Sequence, residues 1–136
     1  MTIRATIAVI LLFVLATGAP AAPEPKVSSL FSKELKDIPG KEGTMLFVEY
    51  PPGGEDPVHR HNAHGFIYIL EGTVVMQVKG GKEVTLKAGE TFYEGPDDVH
   101  VVGRNASKTD PARFVVVLIK EKGAPALIPV ELPKPQ

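Results

Sequence analysis

Three of the four histidines fall within "PVHRHNAHGF" (57–66), and the fourth, His100, follows the turn-rich "GPDD". His59 and His61 are two apart. On an extended strand, side chains at that spacing leave the same face, about 6.6–7 Å apart along the backbone. Two such imidazoles can converge on one ion, because zinc–nitrogen bonds are about 2.0–2.1 Å long. The third ligand must then come from elsewhere, and His100 is the remaining distant candidate. A pair of hydrogen-bonded strand histidines is the alternative, since H-x-H alone is a short pattern.

The segments around these histidines read as strands. "MLFVEY" (45–50), "GFIYIL" (65–70), "TVVMQV" (73–78), "EVTLK" (83–87), "TFYE" (91–94), "VHVVGR" (99–104) and "RFVVVLIK" (113–120) are short and rich in β-formers. Turn signals separate them, from "PPGG" at 51–54 to "NASKTDPA" at 105–112. Short strands with such punctuation predict a single all-β barrel or sandwich. "VKGGKEV" predicts a hairpin whose two-residue turn is Gly80-Gly81. "VSSLFSKELKDIPGKEG" (27–43) is ambiguous: Ser29 could cap a short helix that Pro39-Gly40 would end. The tail "GAPALIPVELPKPQ" is too proline-rich for a central strand and is expected along an edge.

The start of the chain predicts export. Arg4, an apolar run over 7–16 and small residues around Ala19-Pro20-Ala21 form the three regions of a secretory leader. The run is shorter than the roughly 20 residues of a membrane span. The expected organisation is a signal peptide over 1–21, an extension over 22–44, a barrel over 45–120 and a proline-rich tail over 121–136. The mature protein would be secreted or periplasmic, with no membrane segment after cleavage. It would carry 14 basic and 16 acidic side chains, dispersed along the chain. No basic stripe is present, which argues against a nucleic-acid partner. Without cysteine, packing and any bound metal must stabilise the fold.

Residues 53–72 and 89–105 resemble the two motifs of the cupin superfamily. Gly53, His59, His61 and Gly72 stand at the spacing of the first motif, and Gly89 and His100 at that of the second. The second departs from the pattern at Gly95 and Asp97, where Pro and Gly are expected, and Asn105 falls one residue late. The resemblance implies a small cupin β-barrel (a double-stranded β-helix, or jelly roll) of two sheets with a metal site near one end. It also implies homodimers, through a sheet face or exchanged strands, and assigns His59, His61 and His100 as ligands.

The motif's glutamate position is occupied by Gly65. Two arrangements then compete: a three-His site open to water, or a four-His site in which a bulge swings His64 inward. Without an anionic ligand the site would be one charge more positive and would favour an anionic partner. Glu94, Tyr93, Tyr68, Asp97 and Asp98 are the nearby polar candidates. Of these, the aspartates are expected to stabilise a turn and the tyrosines to form the barrel wall, while Glu94 has no partner assignable from sequence. Imidazoles suit a divalent transition metal (Fe, Cu, Ni, Mn or Zn) better than Mg or Ca. The expected function is metal-dependent chemistry of dioxygenase, isomerase or lyase type on a small oxygenated or anionic molecule. A non-catalytic metal- or ligand-binding module is the alternative; metal-free sugar binding requires the histidines to be empty.

Overall fold

The computed structural model describes residues 18–133. Most of the expected leader therefore lies outside the described residues. Ten strands follow in order: β1 (Lys26–Glu34), β2 (Lys41–Tyr50), β3 (His59–Arg60), β4 (His64–Glu71), β5 (Thr73–Val78), β6 (Val84–Lys87), β7 (Thr91–Glu94), β8 (His100–Asn105), β9 (Ala112–Glu121) and β10 (Ile128–Pro129). They form two five-stranded sheets, ordered β1-β2-β9-β4-β7 and β10-β3-β8-β5-β6. Every strand pairing is antiparallel. This is the all-β two-sheet architecture expected.

Period-two alternation builds the core. In β9 the residues Ala112, Phe114, Val116, Leu118 and Lys120 are buried in turn. The first four pack with Leu46, Val48 and Tyr50 of β2, Ile67 and Ile69 of β4, and Val74 and Met76 of β5 in one apolar cluster. Burying each large aliphatic side chain contributes about 1.5–3 kcal/mol. Lys120 is admitted because its Nζ donates to Glu42 Oε1 (2.5 Å) and to the Ala124 carbonyl (2.6 Å). That anchor also holds the start of the C-terminal segment.

Two local expectations change. The helix-or-loop stretch after Ser29 is strand β1, paired with β2 from Lys26↔Glu49 to Glu34↔Glu42 with a bulge between Ser29 and Phe31. An available sheet edge outweighs weak helix capping there. The Gly80-Gly81 turn is displaced by one residue: Gly81 N donates to Val78 O, and only Gly80 of the two glycines has positive φ (83°). The last β5–β6 ladder pair is Met76↔Val84, so the loop is longer than a two-residue turn. Asn105, within a glycosylation-like "NAS", is buried, and its Nδ2 donates to the carbonyls of Tyr50, Pro51 and Asp110. It ties the β2 end to the β8–β9 loop and leaves no exposed amide for a glycan. The proline-rich tail does lie on an edge, where β10 pairs with β3.

Candidate metal centre

His100 reaches the H-x-H pair because β3 lies beside β8, with His59 and His100 as direct Cα partners. The His59 ring meets those of His61 and His100 edge-on, at centroid distances of 4.8 and 4.9 Å. The structure therefore brings together the three histidines that the spacing nominated.

Backbone carbonyls fix the rings. His59 Nδ1 lies 2.8 Å from the Pro57 carbonyl, and His61 Nδ1 hydrogen-bonds the Ala126 carbonyl. A carbonyl only accepts, so both Nδ1 atoms carry protons and the Nε2 atoms face inward. Those two Nε2 atoms are 3.2 Å apart, and Glu94 Oε1 is 2.8 Å from that of His61. With both rings neutral, three lone-pair donors would face one another at hydrogen-bonding distance. A cation between them resolves this, either a proton on His61 or a metal ion. His100 Nδ1 completes the approach, 3.4 Å from His59 Nε2 and 3.6 Å from Glu94 Oε2, while its Nε2 is buried without a partner. The donor set fits a divalent transition metal.

The electrostatics agree. Burial would lower the His61 pKa, but the hydrogen bond and charge of Glu94, with the Ala126 carbonyl, raise it above the ordinary histidine value. Burial pushes Glu94 up, yet its contact with His61 and the charges of His100, His61 and His59 hold it below the usual carboxylate range. His59 and His100 are lowered, chiefly by burial. Glu94 thus favours the protonated form of His61 in the metal-free protein.

The carboxylate missing from the sequence motif comes from the neighbouring strand. Gly65 on β4 and Glu94 on β7 are Cα partners. A Cβ at Gly65 would lie 2.9 Å from Glu94 Cγ and 3.3 Å from Glu94 Oε1. The two positions thus project into one volume, and glycine at 65 leaves it to Glu94. The expectation of an extra positive charge is corrected, because an anionic ligand candidate is present.

His64 does not join the cluster. It opens β4 on the outer face, exposed, with Nδ1 2.7 Å from the Tyr93 hydroxyl and its ring stacked on Tyr93. Strict alternation places it opposite Gly65, so the fold does not build the four-His arrangement. Tyr68 and Tyr93 are on the same exposed wall. Asp98 caps its turn by accepting from Gly95 N at 2.6 Å.

A second carboxyl was not nominated by sequence. Asp56, in the loop before β3, lies within 4.8 Å of donor atoms of His59 and His100. Its Oδ2 accepts a hydrogen bond from the buried Tyr50 hydroxyl. Burial raises both groups, Asp56 above the carboxylate range and Tyr50 well above 10. Its position among Pro and Gly residues reads as a turn, which hides its inward side chain.

Comparison with known proteins places this architecture. A protein of an oryzine biosynthesis cluster in Aspergillus oryzae is 31% identical over 85 residues, covering 62% of this chain and 46% of that protein. The chain thus spans about half the length of that curated relative. The structure of a polyketide cyclase from Streptomyces resistomycificus matches with a TM-score of 0.61 at 24% identity, covering 85% of this chain and 77% of the other. An oxalate oxidase bound to the substrate analogue glycolate matches at 0.58 and 25% identity, over 76% of this chain and 54% of its own. The sequence family described as Cupin domain matches residues 46–118, more than half the chain, and includes every histidine of the cluster. The chain belongs to the cupin family.

Proposed function

We propose that this protein is an exported cupin that holds one divalent transition metal (Fe, Cu, Ni, Mn or Zn) through His59, His61, His100 and Glu94. It acts as an enzyme on a small oxygenated or anionic organic molecule. The observation that carries the metal reading is the pair of inward Nε2 atoms 3.2 Å apart, each ring tied through Nδ1 to a carbonyl and joined by Glu94. When bound, the metal supplies a Lewis-acidic position for a substrate oxygen. Around it, His59 and His61 are held in one tautomer, Glu94 neutralises charge, and Tyr50 keeps its proton on the side of Asp56.

The enzyme reading is supported by an internal cavity beside the donor set. A non-catalytic module is favoured by a different observation: the nearest acid–base pair, Tyr50 and Asp56, already satisfies itself. A homodimer is supported by the exposed strand β1 and by Phe66, Tyr68 and Tyr93 on the outer sheet face.

The test is purification from a host that exports the protein, without chelators. We expect an N-terminus at Ala22 and about one equivalent of transition metal, as intact sites of this kind bind such ions readily. His59→Ala and His100→Ala should each reduce that content severely. Wild-type protein with less than about a tenth of an equivalent after metal supplementation would refute the centre.

A further inference from the structure

The cavity is divided in a way that specifies its ligand. It encloses about 230 Å³. Its six polar side chains, Tyr50, Asp56, His59, His61, Glu94 and His100, form one connected pole through the contacts described above. Away from that pole the wall is Leu46, Val48, Ile67, Met76, Phe114 and Val116, all apolar. Val27, from β1, Leu127, from the C-terminal segment, and Asp56, from the polar pole, line both this cavity and an outer groove of about 460 Å³. The mouth is therefore flanked by two more apolar side chains, with Asp56 on its polar side.

We propose that the cavity binds a small monoanion with one oxygen head and a hydrocarbon body, and rejects dicarboxylates and polyols. The inference rests on the metal centre proposed above. The head occupies the open side of a centre that keeps net positive charge with one glutamate ligand. The body lies along the apolar wall, where each buried methylene strengthens binding about fourfold. A second carboxylate or a run of hydroxyls finds no polar side chain there and loses its hydration uncompensated. At about 30 Å³ per water-sized group, the volume takes roughly eight non-hydrogen atoms. A six-carbon monocarboxylate fills it. A compact diacid fits the pole and wastes the wall.

The experiment uses protein loaded with Co(II), whose visible spectrum reports a change of ligand. Loading is measured first by equilibrium dialysis, and failure at that step refutes the metal centre and this inference with it. With cobalt bound, acetate, butanoate, hexanoate and adipate are titrated in turn. Affinity should rise about fourfold per methylene, on the order of a hundredfold from acetate to hexanoate. Adipate should bind at least about tenfold more weakly than hexanoate, although its chain is as long. Val116→Phe should remove most of the advantage of hexanoate over acetate. Leu127→Asn, at a half-exposed mouth position that does not threaten folding, should lower the gain per methylene. Equal affinity for acetate and hexanoate, or adipate binding as tightly as hexanoate, would overturn the inference while leaving the metal centre intact.

Discussion

Replacing Glu94 by alanine is expected to lower affinity for a divalent transition metal by about a hundredfold or more, and returning a carboxylate from Gly65 should recover most of it. The scale follows from metal sites generally, where even groups behind the ligands are worth about 10–100-fold. Glu94 is closer than that, with Oε1 at 2.8 Å from His61 Nε2 and Oε2 at 3.6 Å from His100 Nδ1. Gly65→Glu alone should fail, because the new Cβ would meet Glu94 Cγ at 2.9 Å. The double change Gly65→Glu with Glu94→Gly empties the volume from one strand and fills it from the other. We expect it to bind metal within about tenfold of wild type, since one carboxylate again completes the set. Competition against a chromogenic chelator measures all four proteins. Unchanged affinity in Glu94→Ala would remove Glu94 from the ligand set. A double variant no better than Glu94→Ala would show that the two positions are not equivalent.

This exchange of a ligand between strands also explains what the sequence could and could not disclose. His59 and His61 were legible because strand alternation is local: two residues apart means one face. His64 was not decidable on that rule, because residues 61–63 lie between β3 and β4 and Asn62 has positive φ (48°); its register in β4, on the face opposite to Gly65, places it outside. Glu94 was not legible, because its role depends on β4 pairing with β7 in one register, Gly65 against Glu94. A partial signal was present in "TFYE": Tyr93 faces outward, so Phe92 and Glu94 face inward, and a buried glutamate requires a partner. Joining that requirement to the vacant Gly65 position would have nominated the pair. Strand β1 failed for a related reason. Its residues are all exposed and carry no clean inward face, so only the edge of β2 determines its conformation. The barrel itself was readable because β2, β4 and β9 alternate over most of their length.

Acidity and metal should oppose each other through a single proton. In the metal-free protein His61 is raised above the ordinary histidine value, whereas His59 and His100 are lowered. A raised group stabilises the fold fully below its unfolded pKa of about 6.5, and this contribution is lost as pH rises through the folded value. The two lowered histidines act in the other sense. Below about pH 6.5 the unfolded chain takes up protons that the folded chain refuses, so stability falls with acidification. Glu94 is depressed, so its contribution is present above about pH 4.5 and is lost as pH falls through its folded value. The apoprotein should therefore be most stable near pH 6.5, losing stability on the acid side through His59 and His100 and on the alkaline side through His61. Metal removes the alkaline loss, because it replaces the proton between His59, His61 and Glu94. From about pH 6.5 up to the raised His61 value, metal binding should release up to one proton per metal, and affinity should climb with pH by at most about tenfold per unit. Over the same interval the holo–apo stability gap should widen, by at most about 1.4 kcal/mol per pH unit. Urea unfolding of chelated and metal-loaded protein from pH 5 to 8.5 reads the gap, and calorimetry in two buffers of different ionisation enthalpy counts the proton. Proton release of zero in that window would mean that His61 is neutral before the metal arrives. The facing Nε2 atoms would then need another explanation.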